Sequence, residues 1–197
     1  LFGRHPFEGG TEATLLKSKD LKHWEIVGPF MSREMPDVAQ SDDIKINEDF
    51  SCPTFFKLGE RWMLLCISHN KGCRYYLGDW KHDQFMPDFH ARMNWCLSDG
   101  MQEGDHGGEF FAPESLLTPD GRRVMWAWCF VSSKSSGNDL WDGIQSLPRE
   151  LSLPEDGVLR IAPLRELRQL RYNPVSERDI VVKSGAIIRL KQTAGDT

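Results

Sequence analysis

Short segments of alternating apolar and polar residues, separated by turn residues, recur through most of this 197-residue chain. Such alternation predicts β-strands, because it places one face of each strand against a core. The clearest examples are a strand at Ala13–Lys17, a hairpin with its turn at Leu58–Arg61 and a hairpin with Pro119-Asp120-Gly121 at its tip. Strands spaced about ten residues apart are typical of an all-β propeller, barrel or sandwich, and the spacing does not choose among them.

Three further segments fit the same plan. Residues 24–27 and 74–80 predict strands, and ELSLPEDGVLRIAPL (residues 150–164) predicts a hairpin with Asp156-Gly157 at its tip. Long loops are predicted at residues 31–46 and 96–108, and such loops in a compact β-domain often carry function.

The pattern of residue types changes near residue 163. PLRELRQLR (residues 163–171) predicts a helix, with a proline in the first turn and Leu164, Leu167 and Leu170 on one side. Strands are predicted again at residues 180–182 and 186–190. We therefore predict three parts: a β-domain at residues 1–163, a helical linker at 164–176 and the first strands of a second domain at 177–197.

Composition argues against several classes of partner. The formal net charge is −5, and without a basic cluster it argues against nucleic-acid binding. No run approaches the 18 apolar residues of a membrane helix, so no membrane partner is predicted. The chain begins without Met or a recognisable signal peptide, and it is expected to be a fragment or a processed form. Its cellular location is left open.

Neither a metal nor another cofactor is predicted. The cysteines form no C-x-x-C pair and have no histidine partner at zinc spacing, so buried thiols are expected. The histidines form no zinc-protease motif. The cysteines are Cys52, Cys66, Cys73, Cys96 and Cys129.

Six segments, taken in chain order, resemble glycoside hydrolase family 32, the invertase, levanase and inulinase group. The matches span most of residues 11–172. They are SKDLKHWE (18–25), SCPTFFKLGERWMLLCIS (51–68), YYLGDW (75–80), DHGGEFFAPESLLTPDGRRVMWAWCF (105–130), IQSLPRELSL (144–153) and APLRELRQLR (162–171).

The resemblance implies a five-bladed β-propeller with a central sugar pocket, followed by the beginning of a β-sandwich. It also implies retaining hydrolysis of β-fructosides such as sucrose, inulin or levan, with an Asp nucleophile, a stabilising Asp and a Glu acid/base. The family segments that carry the two Asp residues are absent from this chain. To bind the carbohydrate substrate, the propeller would therefore have to be closed by the missing N-terminal blades, from the same chain or a partner.

The chain departs from the family at its proton donor. The Glu of the family's Glu-Cys-Pro motif aligns with Ser51, whereas Cys52 and Pro53 match the motif. A serine hydroxyl cannot cycle between acid and base as a carboxyl group does. Either the acid/base is lost, or another carboxylate has replaced it.

Asp49 and Glu114 are the two candidate catalytic carboxylates. In an extended strand Asp49 would share a face with Ser51, displaced by roughly 7 Å. The alternative for Asp49 is a solvated acidic pair with Glu48. Glu114 would serve as the acid if the pocket removes it from water. The alternative for Glu114 is a bond to the neighbouring strand or to Arg122.

Five residues are predicted to contact the substrate on the same resemblance. Glu109 stands where the family has Asp, and His106 replaces a Tyr. Trp128 falls where the family places a Trp near the sugar, so it is expected to stack on the fructose ring or to pack in the core. Ser51 and Cys52 complete the set, and Cys52 is expected to be a small buried side chain that sets the path of the strand.

Three functions are consistent with these patterns. The first is a β-fructosidase of this family with an altered acid/base. The second is a non-catalytic carbohydrate-binding propeller that keeps the pocket and has lost the acid. The third, less favoured, is an unrelated all-β interaction domain.

Overall fold

The described part of the chain is almost entirely β-structure. The computed structural model describes residues 2–3, 13–31, 51–68, 72–93, 110–130 and 143–190. The chain divides into two compact units, Leu1–Leu164 and Arg165–Thr197. The all-β prediction is confirmed. Of the predicted long loops, only Met31 is described, and it forms an isolated parallel bridge with Phe85.

The first sheet has three antiparallel strands in sequence order: β1 (Phe2–Gly3), β2 (Ala13–Lys17) and β3 (Glu25–Pro29). Side chains build the turn between β2 and β3. The Ser18 hydroxyl accepts the backbone N–H of Leu21 at 2.8 Å. The Asp20 carboxylate accepts the backbone N–H groups of Lys22 and His23. These donors hold the pKa of Asp20 well below its ordinary value, the His23 backbone N–H having the largest effect.

The second sheet is a four-stranded antiparallel meander. Its hairpin turn lies where the sequence predicted it, and Gly59 there has a φ of 59°, which favours glycine. The strands are β4 (Ser51–Leu58), β5 (Arg61–Ser68), β6 (Gly72–Lys81) and β7 (Gln84–Arg92).

The third sheet repeats this meander with one interruption. The strands are β8 (Phe111–Leu117), β9 (Arg123–Phe130), β10 (Gly143–Gln145), β11 (Arg149–Ser152) and β12 (Arg160–Pro163). Strand β8 pairs along one edge of β9, while β10 and β11 pair in succession along the other edge. Strands β10 and β11 thus act as one broken strand, and the sheet has four positions.

Ser146 fills the gap between β10 and β11. Its backbone N–H donates to the carbonyl of Ala127 at 2.8 Å, and its buried hydroxyl accepts the Ala127 N–H at 2.9 Å. A side-chain oxygen therefore replaces the backbone carbonyl that an unbroken strand would supply.

The second sheet is buried on both faces between its two neighbours. Leu64, Cys66 and Tyr76 on one face pack with Ala13 and Phe30 of the first unit's N-terminal part. On the opposite face, a larger core joins residues of β4 to β7 with residues of β8, β9 and β11. That core includes Phe56, Met63, Leu65, Ile67, Leu77, Phe111, Met125, Ala127 and Leu151.

The first strands of the three sheets come together. Strand β1 lies against β4, and β4 lies against β8. Sheets that stack face to face with their first strands at a common side have the arrangement of propeller blades. One charged side chain reaches across this packing: the Arg123 guanidinium lies 4.1 Å from the centre of the Phe56 ring. The Arg149 guanidinium lies 4.1 Å from the centre of the Phe110 ring, directly before β8, so this second contact stays within the third sheet.

The second unit contains a 3-10 helix, Arg165–Leu170. The helical prediction is confirmed, and the three-residue spacing of Leu164, Leu167 and Leu170 suits the three residues per turn of this helix. The strands predicted at residues 180–182 and 186–190 are wrong, because residues 171–190 form no strand. The backbone of a strand needs a neighbouring strand with which it can form hydrogen bonds. In the described part of this unit no segment pairs in this way with residues 180–182 or 186–190, and their apolar side chains stay exposed.

The described residues contain no helix with the length and apolar character needed to cross a membrane.

Replacing Ser146 with alanine should remove the acceptor for a buried N–H. We expect Ser146→Ala to lower the free energy of unfolding by about 1–3 kcal/mol. Ser152→Ala is the control, since Ser152 lies exposed on β11, and it should change the value by less than about 0.5 kcal/mol. Equilibrium urea unfolding measures both, and equal losses in the two variants would contradict the role of Ser146.

Gly78 sits where β7 bulges against β6, and a methyl group has no room there. A Cβ on Gly78 would lie 2.6 Å from the Cα of Pro87 and closer still to the carbonyl oxygen of Met86. We expect Gly78→Ala to cost about 3 kcal/mol, because the backbone must move. A Cβ on Gly121 meets open space, and only the left-handed backbone at φ 84° disfavours alanine there. Gly121→Ala should therefore cost about 1–2 kcal/mol. The two unfolding curves would coincide if the close approach at Gly78 were unimportant.

Candidate active site

A β-bulge interrupts β4 at Cys52 and Pro53. Ser51 pairs with Ile67 and Thr54 pairs with Leu65, so two residues of β4 oppose a single residue of β5. Cys52 has a φ of 49°, in the left-handed region that residues other than glycine rarely adopt. Pro53 has no N–H to give to the ladder. Bulges of this kind redirect side chains and are common beside active sites.

Strand β8 carries the same bulge. Phe111 pairs with Trp128 and Glu114 pairs with Trp126, so Ala112 and Pro113 again oppose one residue. Ala112 has a φ of 44°. In both strands a small residue with left-handed backbone precedes a proline. Glu114 of β8 therefore occupies the position that Thr54 occupies in β4.

A hydrogen bond joins these two equivalent positions. The Thr54 hydroxyl donates to Oε2 of Glu114 at 3.2 Å, from the first strand of one sheet to the first strand of the next. Ser51 and Thr54 pair with residues two apart on β5, and paired residues share a face, so both side chains lie on the same side of β4. Two strand steps place them roughly 7 Å apart. The Glu114 carboxylate is thus held against Thr54, on the side of β4 that Ser51 also faces.

The environment of Glu114 differs from the sequence-based expectation. The residue is exposed rather than removed from water. Of the two partners considered for it, the neighbouring strand is the one observed, through Thr54. Arg122 instead pairs with Asp120 at 2.8 Å and with Glu150 at 3.4 Å.

Ser51 and Cys52 lie at the start of β4, at the bulge. Ser51 is half-buried and faces the same side as Thr54. The expectation that Cys52 is a small buried side chain is wrong, because Cys52 is exposed. The bulge accounts for this: it alters the strand at Cys52 through the backbone, while the side chain stays in solvent.

Trp128 presents a partly open aromatic surface on β9. Its side chain is 43% exposed, and its ring meets the edge of the Phe111 ring with centres 6.5 Å apart. Trp126 on the same face is half-buried and pairs with Glu114. Exposure therefore separates the two tryptophans, which lie on the same face of β9, and Trp128 is the more exposed of the two.

Asp49, His106 and Glu109 lie outside the described residues. Their predicted roles remain predictions, and so does the alternative in which Asp49 and Glu48 form a solvated acidic pair.

The other cysteines and the acidic side chains form no metal-binding cluster in the described ranges. Cys66 and Cys73 are buried as expected, and burial raises the pKa of the Cys73 thiol. Cys129 is half-buried, and Cys96 falls in an undescribed range. No cluster of three or more His, Cys, Asp or Glu side chains suited to a metal ion occurs among the residues described.

Thr54 is the site residue that sequence reasoning missed. A threonine is neither acidic nor aromatic, and acidic and aromatic residues are the types usually sought in a sugar site. A signal was nevertheless present, because a small residue followed by proline occurs near the start of both β4 and β8. Aligning those two dipeptides places Thr54 opposite Glu114.

Comparison with known proteins identifies the family. Residues 6–163 match the model of the glycosyl hydrolases family 32 N-terminal domain. Since this match covers most of the chain, the protein belongs to glycoside hydrolase family 32.

Named relatives agree with this membership. The chain is 29% identical over 179 residues to a sucrose-6-phosphate hydrolase of Zymomonas mobilis, a match that covers 84% of this chain and 32% of the relative. It is 28% identical over 199 aligned positions to the insoluble isoenzyme 4 of beta-fructofuranosidase from Oryza sativa subsp. japonica, covering 94% of this chain and 32% of that protein. The chain thus spans about a third of the length of these relatives.

Solved structures share the fold. A variant of fructan 1-exohydrolase IIa from Cichorium intybus, in complex with 1-kestose, matches with a TM-score of 0.64 at 22% identity, over 83% of this chain and 32% of that chain. The GH32 beta-fructofuranosidase from Bombyx mori matches with a TM-score of 0.61 at 20% identity, over 85% of this chain and 36% of that chain. These neighbours are β-propellers, which confirms the propeller class predicted for this chain.

Proposed function

We propose that the protein hydrolyses β-fructosides of the sucrose, inulin or levan type, with retention of configuration and with an altered acid/base. Family membership and the names of the relatives support this activity. The chain spans about a third of those relatives, and we assign the nucleophile and the stabilising Asp to the family segments that this sequence does not contain.

The observation that carries the proposal is the delivery of Glu114 to the Ser51 side of β4. A hydrogen bond from Thr54 holds the carboxylate there, at 3.2 Å. Ser51 has no carboxyl group to offer at the motif position, and Glu114 comes from the neighbouring sheet to the same face. A retaining glycosidase needs two carboxyl groups about 5 Å apart, and an acid/base displaced by one sheet can still meet a nucleophile near a common axis.

The chemistry assigned to Glu114 has two steps. The protonated carboxyl group gives its proton to the glycosidic oxygen, while the nucleophilic Asp attacks the anomeric carbon and the leaving group departs. The resulting carboxylate then takes a proton from water, whose oxygen displaces the Asp and releases fructose. Asp49 is the second candidate for this role, from two residues upstream of Ser51.

The remaining substrate contacts follow the same proposal. Trp128 offers its exposed ring to the apolar C–H face of the sugar. Ser51, Cys52, His106 and Glu109 are the other residues that we propose contact the sugar. We also propose that residues 1–163 are the later blades of a five-bladed propeller closed by N-terminal blades, with a linker at 164–176. Residues 177–197 are proposed to begin a β-sandwich domain, although residues 177–190 form no strand themselves.

A second function is favoured by one specific observation, the hydroxyl of Ser51 at the position of the motif Glu. A propeller that keeps the pocket without a working acid would bind fructosides without cleaving them. Binding of sucrose, inulin or levan without turnover by the intact protein would establish this alternative and reject the hydrolase.

Removing the proposed acid should reduce turnover of natural substrates. We expect Glu114→Gln in the full-length protein to lower kcat on sucrose about 10²–10⁴-fold, because protonation of a poor leaving group is lost. Fructose release from sucrose, inulin and levan measures the effect. Asp49→Asn, assayed alongside, should leave most of the activity.

Two results would overturn this assignment. A large loss in Asp49→Asn with normal turnover in Glu114→Gln would move the acid/base to Asp49. Turnover unaffected by either substitution would remove both carboxylates from the mechanism. Glu60→Gln is a matched control, since Glu60 lies exposed in the β4–β5 turn and pairs only with Lys57 among the described residues.

A further inference from the structure

We propose that Thr54 is a positioning residue that orients the Glu114 carboxyl group for proton transfer. The inference rests on the function proposed above and adds a residue that neither the family motif nor the relatives' names single out. Its basis is the hydrogen bond from the Thr54 hydroxyl to Oε2 of Glu114 and the matched backbone on either side of that bond.

An exposed glutamate has several rotamers, and ordering it costs conformational entropy. A single hydroxyl that reaches it from another sheet removes part of this freedom. Thr54 suits the task because its branched side chain has few χ1 rotamers in a strand. The hydrogen bond thus holds the carboxyl group, which has no other hydrogen-bond partner among the residues that the structure describes, at one place on the first strands of the two sheets.

The backbone on both sides of the hydrogen bond is restrained as well. Pro53 directly precedes Thr54, and Pro113 directly precedes Glu114. Each proline fixes its own φ, and each follows a residue in left-handed conformation within a bulge. Pro113 is fully buried. The donor and the acceptor therefore both project from constrained positions.

The direction of the hydrogen bond distinguishes the two carboxyl oxygens. Oε2 accepts the Thr54 hydrogen, so in the protonated acid the transferable hydrogen sits on Oε1. Oε1 then gives this proton to the glycosidic oxygen as the carbon–oxygen bond breaks, and it later receives a proton from the attacking water. Thr54 keeps its own hydrogen throughout, so it orients the acid without exchanging a proton with the substrate.

The test compares substrates that differ in their need for the acid. In the full-length protein, Thr54→Val should lower kcat on sucrose about tenfold to a hundredfold, as expected for a misplaced catalytic group. An aryl β-fructoside has a good leaving group that needs little protonation. The rate constant for formation of the fructosyl-enzyme from this substrate should therefore fall less than about threefold. Thr54→Ser keeps the hydroxyl and should restore sucrose turnover to within about threefold of the wild type.

Thr14→Val is the control variant, because Thr14 lies on β2 and takes no part in this hydrogen bond. This variant should turn over both substrates at the wild-type rate, and thermal unfolding of each variant checks the fold. Equal losses on sucrose and the aryl fructoside would reduce Thr54 to a structural role. Normal sucrose turnover in Thr54→Val, while Glu114→Gln is impaired, would reject the positioning role alone. Normal turnover in Glu114→Gln would reject the acid/base assignment and this inference with it.

Discussion

Two β-bulges of the same kind, one in β4 and one in β8, determine where the polar side chains of the first strands meet. In each bulge a small residue adopts a left-handed backbone and a proline interrupts the ladder. The repeat places Thr54 and Glu114 at equivalent positions, and the packing of neighbouring sheets brings them within hydrogen-bonding distance. The site is therefore a property of the sheet-to-sheet arrangement, and no single strand contains it.

This arrangement is the basis of our proposal that the protein remains a hydrolase with a serine at the motif position. Loss of a carboxyl group on β4 is chemically severe, because a hydroxyl cannot replace it as acid and base. Adjacent sheets of a propeller direct their first strands toward one side, so a carboxyl group can move from one sheet to the next with a small displacement. In our proposal Glu114 is such a displaced carboxyl group, and Thr54, close to Ser51 on the same strand, holds it by a hydrogen bond.

Much of the fold could be predicted from the sequence, because alternation and turn residues are local signals. The strand at Ala13–Lys17 and the turn at Leu58–Arg61 fell where they were expected. The strands predicted after residue 180 failed, since alternation states only that a segment can pair and not that a partner strand is present. The exposure of Cys52 was missed for a related reason, because a bulge changes the backbone without changing the pattern of residue types. The contact of Thr54 with Glu114 joins residues 60 positions apart, and only the packing of the sheets reveals it.

In our proposal Glu114 is the proton donor that Ser51 cannot be. The most direct measurement is chemical rescue of Glu114→Ala by azide, with an aryl β-fructoside as substrate and the product identified by NMR. If Glu114 is the acid/base, its removal opens room for azide, and the product is the β-fructosyl azide formed with retained configuration at an increased rate. An unchanged rate with azide in Glu114→Ala, together with rescue of Asp49→Ala, would contradict the claim.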